Sequence, residues 1–311
     1  ATQQISSRLE RYAALGAVVA LGIAMASVAA GSDGDLEHAG VVAMVAGAGN
    51  GASTPPASGT GAGSSVAAET LAGGYLGISH THASTVTIEN PGRTSMAVRD
   101  LAWEGKPFKS PIYYGLRTIR WAQGGRVGAL VDFTHAKAIS RFEDTAAFAG
   151  TLEGKPLPAT GKLGDTFKHL EFSHGHNMVT LNGLMRLGFF PVQPYVGAGA
   201  GISLPHTEVG YRNEKGRTYE YQYAGLTGQA LAGLEFRLGR TSVFVEYKFS
   251  YSSYDVPLSG VVDGSWLFVD LWRQFRAWWV GESPPGGRLR TPLMTHHGIG
   301  GVMVRVAPAA R

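Results

Sequence analysis

Three features of this sequence predict an all-β fold, an eight-stranded antiparallel transmembrane β-barrel. Between Gly73 and Val306, runs of about ten residues alternating apolar with polar or small side chains recur eight times. Short turns rich in Gly and Pro and long polar connections join these runs in alternation. The clearest runs also have one apolar face and one charged face. In hydrocarbon every backbone N–H and C=O must find a partner within the chain, so short two-faced strands enter a bilayer only by closing on themselves.

The runs fall at 73–80, 111–121, 126–138, 178–188, 194–204, 225–238, 242–254 and 294–306. The connections 122–125, 189–193 and 239–241 are short, whereas 81–110, 139–177, 205–224 and 255–293 are long. Short periplasmic turns and long outward loops are the rule for bacterial barrels, which predicts the outer membrane of a Gram-negative-type bacterium. In 242–254 the set Val243, Val245, Tyr247, Phe249 and Tyr251 is apolar or aromatic and is expected to meet lipid, while Glu246, Lys248 and Ser250 point the other way. In 225–238 the expected lumen set is Thr227, Gln229, Glu235 and Arg237, with Leu226, Ala230, Leu234 and Phe236 outside. Opposite charges facing each other inside eight strands predict a plugged interior, so a diffusion channel is the weakest functional class. The chain has no Cys, which removes disulfides and thiolate chemistry from consideration.

Four segments organise the chain: 1–30, 31–72, 73–306 and 307–311. In the first, Arg8 and Arg11 precede an uncharged stretch, 12–30, that ends on Ser27-Val28-Ala29. This is the layout of a secretory signal peptide. The stretch is also long enough to span a bilayer, so a retained membrane anchor stays open. Residues 31–72 are rich in Gly, Ala and Ser and read as a flexible linker. The last segment, 307–311, is a short tail after the barrel.

The net charge is +4 at pH 7, and much of the basicity sits in outward loops or at strand ends, including Arg93, Arg99, Lys106, Lys109, Lys137 and Arg141. Nucleic acid is not the partner expected outside a cell. The anionic surface there is the phosphorylated head group of lipopolysaccharide, which Lys and Arg attract. Plain solvated loop charges are the other reading of the same residues.

Four local strings add a resemblance. They are Trp103-Glu104-Gly105-Lys106-Pro107-Phe108 followed by Pro111-Ile112-Tyr113-Tyr114-Gly115; Asp132-Phe133-Thr134-His135-Ala136-Lys137; Leu170-Glu171-Phe172-Ser173-His174-Gly175-His176-Asn177; and Thr295-His296. In this order they resemble the lipid A oxidase family of outer-membrane proteins. The resemblance implies a barrel that uses molecular oxygen and a divalent metal such as Fe2+ to oxidise the proximal glucosamine of lipid A to an aminogluconate unit. It implies catalytic roles for His135, Lys137 and Glu171, and metal ligation by His135, His174, His176, His296 and Asp132. Substrate contacts are expected at Trp103 and Lys106, and at Trp266 in the last outward connection.

The residues can be weighed against that chemistry. A mononuclear oxygen-activating iron uses two imidazoles and one carboxylate on one face, with coordination positions left open. Of 10 His, the ones at outward strand ends are His80, His82, His135, His174, His176, His296 and His297, with Asp132, Glu171 and Glu246 the nearest carboxylates. By strand parity His135 and Lys137 fall on the lipid-facing side near the rim, whereas Asp132, Thr134, His174 and His176 point into the lumen. For any one of these His the plainer reading is a hydrogen-bonding group of the aromatic belt.

The connection 264–281 carries Trp266, Trp272, Trp278 and Trp279. Leu267, Leu271, Phe275 and Trp278 recur at helical spacing, with Asp270, Arg273, Gln274 and Arg276 largely elsewhere, which predicts an amphipathic helix. It is expected to lie on outer-membrane lipid, to meet a membrane-protein partner, or to cap the barrel mouth. Two functional classes remain in front: a lipid A-modifying enzyme, and a non-catalytic barrel that organises or tethers a membrane assembly.

Overall fold

The computed structural model describes residues 67–188, 192–260 and 266–307. Segment 1–30, residues 31–66 of the linker and residues 308–311 of the tail lie outside the described residues. In chain order the elements are β1 (Glu69–Thr81), β2 (Ser84–Asn90), β3 (Thr94–Leu101), β4 (Trp103–Glu104), β5 (Tyr114–Trp121), β6 (Val127–Ser140), β7 (Thr145–Leu152), β8 (Lys155–Pro156), β9 (Thr160–Lys162), α1 (Leu163–Thr166), β10 (Phe167–Arg186), β11 (Val192–Ser203), β12 (His206–Tyr211), β13 (Thr218–Tyr221), β14 (Gly225–Leu238), β15 (Thr241–Pro257), α2 (Leu267–Trp279) and β16 (Arg288–Ala307).

Eight of these strands form an antiparallel ring, β1-β5-β6-β10-β11-β14-β15-β16, and β16 pairs back onto β1 with Ser79 opposite His297 and Gly74 opposite Val302. No backbone edge is left in the ring, as a barrel in hydrocarbon requires. The expected facing holds on the clearest strands: Leu226, Val245, Tyr247 and Tyr251 are exposed, while Thr227, Gln229, Glu246, Lys248 and Ser250 are buried.

The lumen is filled by an ionic network. Lys248 on β15 reaches across to Asp132 on β6 at 2.6 Å and also donates to the Tyr75 hydroxyl at 3.0 Å and to Thr134 at 2.9 Å. Arg117 makes paired 2.9 Å bonds to Glu246 and a 3.3 Å contact with Asp132, and the Tyr195 hydroxyl donates to Glu246 at 2.7 Å. Below this layer Glu69 accepts from Arg186, Arg237 and Arg305, and Arg186 lies 3.7 Å over the Trp121 ring. Glycine makes room for the crossing aromatics. A Cβ on Gly115 would stand 1.9 Å from the Tyr75 ring, and one on Gly233 would stand 2.5 Å from Tyr195.

Several expected boundaries move. The linker was expected to reach residue 72, but β1 begins at Glu69. The second run was expected from 111, but β5 begins at Tyr114, because the chain folds back on itself: the Tyr113 N–H donates to the Pro107 carbonyl at 2.9 Å. The larger correction concerns the outward connections, which were expected to be polar loops: 81–110 and 139–177 are mostly strand, and 205–224 carries β12 and β13. β10 starts at Phe167 and β15 runs on to Pro257, while β2, β3 and β7 form a sheet that joins the outer end of β16. Their inward faces share an apolar core that includes Val86, Ile88, Val98, Phe172, Val256 and Leu289, all buried. Each large apolar side chain fully buried in this way contributes roughly 1.5–3 kcal/mol. The interior therefore changes from ion pairs interleaved with buried side chains such as Trp121, Phe244 and Met303 within the eight-stranded ring to a largely apolar core beyond its outer rim.

Candidate metal centre

On the outer extension of β10, Lys168-His169-Leu170-Glu171-Phe172 alternates as a strand must. Leu170 and Phe172 enter the apolar core, which turns His169 and Glu171 to the other face. β12 pairs here with Glu208 directly opposite Glu171. Two carboxylates in register repel unless cations or protons lie between them. His169 Nδ1 stands 3.0 Å from Glu208 Oε1 and 3.4 Å from Glu171 Oε1, and Arg217 also donates to Glu208 Oε1. The second oxygen of Glu208 accepts from Ser173 at 3.3 Å and lies 3.8 Å from His174 Nδ1.

Among the described residues, His169, Glu171 and Glu208 form the one group of three or more His or carboxylate side chains with ligand atoms all within 4.8 Å of one another. One imidazole and two carboxylates, with a second imidazole alongside, suit a divalent first-row cation. Glu208 is nearly enclosed, while the His169 and His174 side chains are about a third exposed, so one side of the group stays open. Burial first, and the facing Glu171 carboxylate second, hold the Glu208 carboxyl above the ordinary glutamate range, with Arg217 opposing. A bound cation would relieve the second of these.

The structure distributes the residues singled out from the sequence over separate environments. Glu171 is in the group and His174 borders it. His174 was expected to point into the lumen with His176, but a bulge between Phe172 and His176, with Gly175 at φ 142°, turns it against His206 and Tyr219. His176 stays in the interior, bonded to the Tyr254 hydroxyl. Asp132 lies deeper, committed to Lys248 and Arg117.

His135 was expected to face lipid beside Lys137. It keeps that side of β6 but is buried, with its ring stacked 4.7 Å from Tyr114 and Nδ1 2.8 Å from Asn177. Lys137 is covered as well, donating to the Lys109 carbonyl at 2.7 Å, because the segment before β5 folds over this face. His296 lies three strands away from β6, with its Nε2 2.7 Å from His82 and its Nδ1 2.6 Å from the Tyr247 hydroxyl. Trp103 is buried, donating to Ser84 at 2.8 Å, and packs on Phe172. Lys106 pairs with Glu104 at 2.8 Å, and Trp266 is exposed at the start of α2.

His169 and Glu208 were not singled out from the sequence. The alternation of His169-Leu170-Glu171-Phe172 and of Thr207-Glu208-Val209 was the available signal, hidden because both stretches fall within connections read as loops.

No protein-family model matches the chain, and no curated protein matches it. Solved structures that the chain matches include two outer-membrane proteins. Outer membrane protein AlkL, solved by solid-state NMR in DMPC lipid bilayers, has a TM-score of 0.38 at 12% identity over 84% of this chain and 100% of its own. The outer membrane protease OmpT from Escherichia coli has a TM-score of 0.37 at 8% identity over 76% of this chain and 96% of its own.

Proposed function

We propose that the chain is an outer-membrane barrel enzyme that oxidises the head group of lipid A at a divalent-metal centre held by His169, Glu171 and Glu208, with His174 beside it. The carrying observation is the convergence of these side chains outside the apolar belt, within or next to the Leu170–Asn177 string that resembles the lipid A oxidases. The barrel's exterior of Leu226, Val245, Tyr247 and Val302 supports a lipid environment, and the ionic plug speaks against transport through the lumen.

A bound divalent metal would couple the substrate to molecular oxygen. Glu171 and Glu208 supply the charge that retains a cation, and Arg217 and Ser173 fix the two oxygens of Glu208 in place. Conversion of a glucosamine hemiacetal to the aminogluconate is a two-electron oxidation at the anomeric carbon. Oxygen and water enter, and hydrogen peroxide leaves with the electrons and protons.

The test is mass spectrometry of lipid A from cells producing the wild-type chain or Glu208→Gln. The wild type is expected to add one oxygen atom to the proximal sugar in an oxygen-dependent manner, and Glu208→Gln to lose nearly all of that product while the folded barrel still migrates anomalously on unheated gels. Unmodified lipid A from the wild type would overturn the enzyme reading. A second reading, a non-catalytic barrel that organises a membrane assembly, is favoured by one feature, the aromatic outer face of α2.

A further inference from the structure

The sequence pattern of α2 predicts an amphipathic helix whose apolar face meets lipid, a partner or the barrel mouth, and the structure turns that face away from the rest of the chain. The stripe that docks is polar. Asp270, 1% exposed, accepts the Tyr221 backbone N–H at 3.0 Å. Gln274 accepts the Tyr223 N–H at 2.7 Å and donates to the Tyr223 carbonyl at 2.8 Å. Arg273 reaches Glu220 at 3.4 Å and Asp270 at 3.6 Å. β13 pairs with β12 along one edge, so these side chains occupy backbone groups on its other edge and just beyond it, where an added strand would otherwise bind.

The face turned away carries Phe268, Val269, Trp272, Phe275, Trp278, Trp279 and Val280, each between 46% and 73% exposed. Phe275 lies within 6.0 Å of the Trp272, Trp278 and Trp279 rings, so the outer face is one aromatic sheet. Contiguous apolar surface of this kind marks a membrane or partner contact. Its position selects between them. Tyr223, which holds the helix, is three residues before Leu226, an outward residue of β14 that is 67% exposed and belongs to the lipid belt. At about 3.4 Å per strand residue the two are roughly 10 Å apart, so the aromatic face continues the belt at its outer margin.

We infer that α2 lies flat in the outer leaflet, with its aromatic face at the boundary between acyl chains and head groups. The helix has 13 residues, about 20 Å of rise, and no described helix is long and apolar enough to cross a membrane. The exposed Arg276 sits beside Trp272 and Trp279 on the helix surface, where a phosphate-bearing head group would lie. This rests on the membrane-barrel part of the function proposed above and is independent of the metal centre.

The experiment uses the full chain refolded into phosphatidylcholine vesicles whose acyl chains are brominated either near the head group or near the chain end. A variant with Trp266, Trp272, Trp278 and Trp279 all replaced by Tyr gives the background from the buried Trp103 and Trp121. The difference fluorescence is expected to be blue-shifted and to lose most of its intensity with bromine near the head group, and much less with bromine at the chain end. A fluorophore on Val245→Cys, in a chain with no native Cys, reports barrel insertion separately. If that label is quenched while the Trp signal stays water-like and open to iodide, the inference on α2 is overturned. A Trp signal shielded from both iodide and bromine in a species of doubled mass would overturn it in favour of a second copy. If neither label nor Trp is quenched by bromine, the membrane-barrel reading itself fails.

Discussion

Lys248 and Asp132 are each fully buried, and each makes several bonds within the lumen. Removing one partner of such a pair leaves a desolvated charge, which costs about 3–5 kcal/mol, whereas an exposed pair such as Arg93 with Glu153 is screened by solvent and contributes little. Lys248→Met is therefore expected to lower the urea midpoint of the refolded barrel well below that of Arg93→Met, followed by the heat-dependent gel shift. Equal midpoints for the two variants would mean that water reaches Asp132. These lumen residues were legible in the sequence because parity along β6 and β15 is unbroken. His174 was not, because the bulge at Gly175 resets parity in the middle of β10, and alternation cannot be carried across a residue that has no partner.

At the scale of elements, the ring strands were legible and the outer extension was not. Polar residues such as His169, Glu171 and Glu208 on one face of β10 and β12 made their strands look like loop, although Leu170 and Val209 pack on the other face. The helix α2 was legible as a helix, but which face it buries depends on the edge of β13, a strand that the sequence reading did not contain. That docking is expected to depend on pH. Burial first, and then the neighbouring Asp270, raise the Glu220 carboxyl above its ordinary 4.5. A raised acid adds stability below its unfolded value and loses it as pH rises through the folded one, so ionised Glu220 weakens the docking at neutral pH. Glu220→Gln should therefore make α2 harder to undock with urea at pH 7, read by Trp emission, with the gain disappearing below about pH 4.5. A gain that persisted undiminished into acid would rule out titration as its cause.

At the scale of the whole molecule, the ion pairs within the ring and the apolar core beyond it are expected to block a continuous water path among the described residues. Chain purified and inserted into planar bilayers is expected to show no steady ion conductance, and Lys248→Met, which keeps most of the packing, is expected to remain silent as well. Stable single-channel steps from the wild type would contradict the sealed interior. The plug also bears on the order in which the chain can assemble. Every described partner of Glu69 comes later in sequence, at Arg186, Arg237 and Arg305, and Asp132, which meets Arg117 on the neighbouring strand, gains Lys248 only near the end of the chain. A sheet made of only the first strands thus holds carboxylates that oil rejects, and it has to stay wet on its inner surface. Those carboxylates complete their set of cations only as the last strands bring Lys248 and Arg305, so drying of the interior is tied to zipping of the seam between the first strand and the last.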